Sequence, residues 1–203
     1  EQTYKKFTQI EHVLARPGMY IGDIATVNSE QWIIDSSNKI VEKLVKWNPG
    51  IYKIFDEIIT NASDECQRSK LVKNIKVDIE GNTISVTNDG SGIPIEIHKD
   101  HQIYVPELIF GNLLSSSNYD DSKKRTTGGL NGLGAKLTNI YSSEFIIETV
   151  SSGKKYIQVF KDNMSVIEKP TITSCKLKDY TKITFTPDFS KFKLKNLSDH
   201  STI

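Results

Sequence analysis

Between residues 51 and 87 the spacing of the apolar residues changes, and that change commits the chain to a fold built from both helix and sheet. Ile51, Ile54, Phe55, Ile58, Ile59 and Ala62 recur at helical spacing and give one apolar face to a helix over about 51–68. From Ile75 the period drops to two. Ile75, Val77 and Ile79 alternate with Lys76, Asp78 and Glu80, Gly81-Asn82 turns the chain, and Ile84 and Val86 alternate with Thr83, Ser85 and Thr87. This is the pattern of a hairpin whose strands each have one buried and one wet face. Neither the helix stripe nor the strand faces are satisfied until they pack on one another.

The remaining pattern extends the same architecture. Residues 9–17 read as a short helix closed before Pro17, and 32–35 and 41–47 as strands. Helical spacing returns over 105–114 and 132–142, and strands follow at 145–150, 155–161, 164–168 and 181–186. The expected class is α+β: a two-layer sandwich with a mixed sheet and its helices on one face. Trp32 and Trp47 are expected in β core or interface packing. Residues 115–129 are polar and rich in Ser, Asp, Lys, Thr and Gly, long for a structureless loop and therefore a candidate lid. The sequence starts at Glu1 and stops at Ile203, which reads as a piece of something longer.

Composition narrows the function classes. No apolar run approaches the length of a membrane span and no segment reads as a signal peptide. Lys plus Arg is 26 against 25 for Asp plus Glu, a net charge of +1, so bulk charge is not what would hold nucleic acid. Cys66 and Cys175 read as free thiols. His98 and His101 flank Asp100 in a polar loop and read as solvated rather than metal-binding. Lys123-Lys124-Arg125 reads as solvation of the lid ahead of DNA contact.

Three segments carry chemistry. On the 51–68 helix, Glu57, Asn61, Asp64, Glu65 and Arg68 form a polar stripe. A Glu can take a proton from water, and an Asn one turn later offers a neutral oxygen to a magnesium shell. Asn88-Asp89-Gly90-Ser91-Gly92 follows a strand, where two glycines allow a planar base to approach the backbone and Asn88 can read an amino edge. Gly128-Gly129-Leu130-Asn131-Gly132-Leu133-Gly134-Ala135-Lys136 leads into a helix and can cradle phosphates with backbone N–H groups and a lysine. It lacks the Ser or Thr of a Walker A loop and the order of a dinucleotide fingerprint. Taken singly, the three also read as a solvated helix face, a plain turn and a glycine loop.

In this order they resemble the three signature boxes of the GHKL, or Bergerat-fold, ATPases. The resemblance narrows to type II DNA topoisomerases, of the eukaryotic and large-virus kind, through Gln9-Ile10-Glu11-His12-Val13-Leu14, Arg16-Pro17, Tyr20-Ile21-Gly22, the segment Tyr104 to Gly111, and Ser116-Ser117-Asn118-Tyr119-Asp120-Asp121. It covers nearly the whole chain.

The resemblance implies a Bergerat sandwich with ATP held between helices and lid, spanning 1–203 as one GHKL ATPase domain. It implies an N-terminal strap over about 1–22, in which Tyr4 to Phe7 could cross a second copy, and an ATP lid over about 115–136. It makes Glu57 the general base and Asn61 the ligand of Mg2+. Lys53, one turn before Glu57, would hold or orient it. Asn88 would contact adenine, Ser116, Ser117 and Asn118 the ribose and phosphate, and Gly129, Leu130, Asn131, Gly132, Leu133, Gly134, Ala135 and Lys136 would wrap the phosphates. Leu130 stands where Arg is common and Glu65 where Asn is common. A lysine from a following transducer domain would reach the γ-phosphate, so residues 1–203 alone are expected to bind ATP and hydrolyse it poorly. The implied function is the ATP-operated gate of a topoisomerase, an enzyme that passes DNA strands: a homodimer on ATP binding, with DNA engaged through other parts of the parent, in the nucleus or a viral factory, without a membrane. The rivals are another GHKL class, such as a chaperone, repair clamp or histidine kinase, and a nucleotide-dependent dimerisation module without catalysis. Arg16 to Gly22 argues against the first, as does the absence of a helix with a phospho-acceptor His, and Glu57 against the second.

Overall fold

The computed structural model describes residues 7–113 and 133–200. Helix α1 spans Gln9–Ala15, and a capping box fixes its start: Thr8 Oγ1 accepts from the Glu11 N–H, and the Glu11 carboxylate accepts from the Thr8 N–H. A 3₁₀ turn at Pro17–Met19 follows directly. Strands β1 (Val27–Ile34) and β2 (Ile40–Trp47) form a separate two-stranded sheet. Helix α2 (Pro49–Ser69) carries the predicted apolar stripe, with Ile54, Ile58 and Ala62 buried.

The main sheet has the order β3-β4-β9-β5-β6-β7, with β8 also paired to β6. Its strands are β3 (Ile75–Glu80), β4 (Thr83–Asn88), β5 (Ser142–Ser151), β6 (Lys154–Lys161), β7 (Val166–Ile167), β8 (Thr171–Ser174) and β9 (Tyr180–Pro187). Every strand pairing among the described residues is antiparallel. Helices α3 (Val105–Gly111) and α4 (Gly134–Ile140) join α2 against one face. Alternation along the strands puts Phe145, Ile147, Tyr156, Phe160, Ile183 and Phe185 into the core between sheet and helices. Phe145 stands 5.9 Å from Phe110 of α3 and 6.2 Å from Phe160, centroid to centroid. The two-layer α+β sandwich is therefore the fold.

Several details depart from the sequence reading. The hairpin does not have one wet face on each strand: Ile84, Ser85 and Val86 are consecutive buried residues, because β9 pairs along β4 and makes it an interior strand. Trp32 is exposed, and Trp47 is half-buried, its Nε1–H donating to Ser29 Oγ at 2.8 Å and its ring edge-on to Tyr52. Strand β8 has no counterpart in the expected pattern. His98 and His101 lie with ring centroids 5.0 Å apart, and His98 Nδ1 accepts from the Asp100 N–H, a local loop contact. Cys66 and Cys175 are free.

Asn48 ties three distant segments together. As N-cap of α2 it accepts from the Ile51 N–H, and its Nδ2 donates to Ile24 O at 2.8 Å and Phe192 O at 3.3 Å. The side chain is buried, and its amide oxygen and both of its N–H donors have partners. Asn48→Ala removes the cap and strands two carbonyls, and is expected to cost about 3 kcal/mol. Urea unfolding followed by far-UV circular dichroism measures this; a loss under about 0.5 kcal/mol would mean that the carbonyls find water instead.

Candidate functional site

The site is assembled from α2, the end of β4 and the start of α4. On α2, Glu57 is half-buried, its side chain 21% exposed, and Lys53 Nζ lies 2.5 Å from its Oε1. The other carboxylate oxygen abuts Gly134. A Cβ built on Gly134 would overlap Glu57 Oε2, so only glycine lets the first residue of α4 come this close. One helical turn further along α4, Thr138 Oγ1 donates to Ile54 O at 2.7 Å. These two contacts lock the short helix α4 across α2.

Ala135 and Lys136 are buried in the same first turn of α4. Burial pushes the Lys136 ammonium down to about 8. Leu133 is half-buried and faces elsewhere: with Leu113 it lines a cavity of roughly 500 Å³ shared with Phe7, His12, Val13 and Tyr20.

Asn88 closes β4 and is buried. The turn after it is pinned from three sides. The Asp89 carboxylate accepts from the Lys73 N–H at 2.7 Å, the Asn74 N–H at 2.9 Å and Asn74 Nδ2 at 2.8 Å. These donors, the Asn74 backbone N–H foremost, hold its pKa down at about 2. Gly90 packs against Val72, where a Cβ would stand 2.8 Å from Val72 Cγ2, 3.3 Å from Asn88 Oδ1 and 3.7 Å from Glu65 Cγ. Gly92 takes φ +69 and lies so close to Val150 O that no side chain fits. Ile93 N–H donates to Thr149 Oγ1, which itself donates to Tyr180 O.

The structure thus sets Gly134, with Ala135 and Lys136 following it in α4, against Glu57 in the middle of α2, and brings Asn88 and Glu65 around Gly90. Asn61 is exposed on α2 between these two groups. Ser116, Ser117, Asn118, Gly129, Leu130, Asn131 and Gly132 lie outside the described residues, as do Tyr4 and Lys123 to Arg125. Three supporting residues escaped the sequence reading: Thr138, Val72 and the anchoring role of Asp89. A threonine on an apolar helix face is a signal for the first; nothing local marks the other two.

A family model described as the histidine kinase-, DNA gyrase B- and HSP90-like ATPase matches residues 48–191. The chain belongs to that family. It is 52% identical over 204 residues to DNA topoisomerase 2 of Pisum sativum and 52% identical over 202 residues to that of Saccharomyces cerevisiae, covering 98% and 97% of this chain. Its fold superposes on the crystal structure of the ATPase region of the yeast enzyme with a TM-score of 0.95 and 50% identity, covering 98% of this chain and 54% of that one. The 43K ATPase domain of Thermus thermophilus gyrase B shares the fold, with a TM-score of 0.68 at 23% identity. The chain spans 14% of the length of each of these two curated relatives. It is an ATPase-type nucleotide-binding domain of the kind found in eukaryotic DNA topoisomerase II.

No helix among the described residues is long and apolar enough to cross a membrane. The Gly134 contact gives a direct expectation for this ATPase domain. Gly134→Ala forces the Glu57 carboxylate aside and, in the full-length protein, should lower phosphate release from ATP about 100-fold with far-UV circular dichroism unchanged. Turnover at the original rate would show that Glu57 yields to the methyl group without consequence.

Proposed function

We propose that this domain binds ATP with Mg2+ and hydrolyses it as the N-terminal gate of a type II DNA topoisomerase. The observation that carries the reading is the meeting of Glu57 with Gly134 at the start of α4, beside a lysine buried in the same turn. A carboxylate held where a glycine-rich segment enters a helix is set beside the place such a segment offers to a triphosphate.

In this reading Glu57 takes the proton of the water that attacks the γ-phosphorus. Lys136 donates to the phosphates, aided by the backbone of Gly129, Leu130, Asn131, Gly132, Leu133, Gly134 and Ala135. A lysine with its pKa near 8 regains its full charge beside an anion. Asn88 reads the amino edge of adenine across the Gly90 surface, and Ser116, Ser117 and Asn118 contact ribose and phosphate. The donor chemistry fits Mg2+: Asn61 is exposed and offers a neutral amide oxygen, and no cluster of three His, Cys, Asp or Glu competes for the ion among the described residues. Magnesium, when bound, neutralises charge between the β- and γ-phosphates.

The larger assignment follows the relatives. Residues 1–203 form the GHKL domain, with the strap at about 1–22 and the lid at about 115–136, and a transducer lysine completes the charge stabilisation at the γ-phosphate. ATP binding draws two copies together, DNA is held through the rest of the longer protein, and the assembly works in the nucleus or a viral factory. The near-neutral charge of +1 fits a domain that handles nucleotide and leaves DNA to other parts.

Two variants test the site. Glu57→Ala should keep ATP affinity within about threefold and abolish phosphate release, since a base acts only in the transition state. Unchanged release would remove Glu57 from the role. Asn61→Ala should weaken ATP binding by about tenfold in the presence of Mg2+ and leave the Mg2+-free affinity unaltered. Titration calorimetry with and without EDTA reads the difference, and equal affinities for variant and parent in Mg2+ would reject Asn61 as the ligand.

A further inference from the structure

Val13 lies near the end of α1, and the residue four further on, which in a longer helix would donate to its carbonyl, is Pro17 and has no N–H. The Arg16 N–H goes to His12 O. The donor for Val13 comes from another element: Tyr141 Oη donates to Val13 O at 2.7 Å, across 128 residues of sequence. We propose that the Tyr141 hydroxyl is a positioning group for the N-terminal strap: it pins the end of α1 to the end of α4, and through it nucleotide at the start of α4 sets how α1 is seated. The proposal rests on the reading of α4 as the phosphate helix and of about 1–22 as the strap.

Three observations carry it. First, Tyr141 is a fixed post. It is the C-cap of α4, its own carbonyl accepts from the Asp188 N–H at 2.9 Å, and its ring packs on Phe192 with centroids 5.7 Å apart. Burial, with Tyr20 close by, pushes its pKa up to about 12, so the hydroxyl keeps the proton that it donates. The Tyr20 hydroxyl is engaged elsewhere, with His12 Nδ1 at 2.9 Å. Second, the other end of α1 is loosely held. Phe7, Thr8 and Gln9 line the cavity of roughly 500 Å³, and Leu133, the N-cap of α4, lines it too. A void of this size leaves the start of α1 room to tilt about the point where Tyr141 holds it. Third, the strap therefore meets both caps of α4, Leu133 at the cavity and Tyr141 through the hydrogen bond. Leu133 adjoins Gly134, whose place is set against the Glu57 carboxylate. A seven-residue helix is only roughly 10 Å long, so a shift of its first turn reaches both caps.

A ligand at one site changes another only through contacts that differ between the two states. The buried Val13 side chain packs through apolar contact, which is non-directional and tolerates a small rotation of α1. A hydrogen bond weakens steeply with angle. The hydroxyl thus makes the seat of α1 sensitive to orientation, and its loss leaves α1 packed while blunting its response to nucleotide.

The test is amide hydrogen exchange on the full-length protein and on its Tyr141→Phe variant, each with and without a non-hydrolysable ATP analogue and Mg2+. Phenylalanine keeps the ring that packs on Phe192 and removes only the hydroxyl. In the parent, the analogue should slow exchange over residues 9–16 and over 134–140 by about tenfold or more. In Tyr141→Phe the slowing over 134–140 should persist, while that over 9–16 falls below about twofold. Without the analogue, exchange over 9–16 should be about fivefold faster than in the parent, the effect of one lost hydrogen bond. A merely structural hydroxyl would speed exchange in α1 by one factor in both states and leave the tenfold response intact; that result overturns the proposal. So does a parent in which 134–140 responds and 9–16 does not. If 134–140 fails to respond in the parent, the reading of α4 as the phosphate helix itself falls.

Discussion

The site depends on how closely α4 can lie against α2. Gly134 makes the approach possible by having no side chain where the Glu57 carboxylate sits, and Thr138 secures it one turn later through Ile54 O. Everything else on α4 follows. Ala135, Leu137, Ile140 and Tyr141 fill the core, and Lys136 is carried into a buried position. A seven-residue helix has little intrinsic stability, so packing holds it in place.

The second half of the site obeys a different constraint. The turn after β4 must bring its backbone against Val72 on one side and against Val150 on the other, and glycines at 90 and 92 meet that requirement. Asp89 supplies the restraint. Its carboxylate gathers three donors from Lys73 and Asn74, so hydrogen bonds join the strand end to the segment leaving α2. Asn88 and Glu65 meet across Gly90, although they come from different elements.

Much of this was legible in the sequence. The switch of period placed α2, β3 and β4, and the glycine run followed by Leu137 and Ile140 placed α4, because a sustained period marks the type of element, although Val77 and Ile79 on the apolar face of β3 are exposed. Glu57 and Asn61 stood on the expected stripe. What stayed hidden depends on partners distant in sequence. The burial of Ser85 follows from β9, about a hundred residues away, and β8 pairs only because β6 offers it an edge. Trp32, expected in β core or interface packing, is not in the core: it lies on the exposed face of β1, whose alternate residues 27, 29, 31 and 33 are the half-buried ones. The sharing of Lys53 between Asp56 and Glu57 was visible as spacing and became geometry only when α4 closed on the carboxylate.

The position of β9 has a consequence for how the chain is made. It is the last strand among the described residues and lies between β4 and β5, so it is what joins the early half of the sheet to the late half. While residues 180–187 are still to emerge from the ribosome, the β3–β4 hairpin and the β5–β6 pair each present an open edge. Asn48 waits similarly for Phe192. The nascent chain therefore holds two half-sheets that must remain apart from foreign strands until the connecting one is delivered. Completion of the sheet therefore comes with the synthesis of residues 180–187.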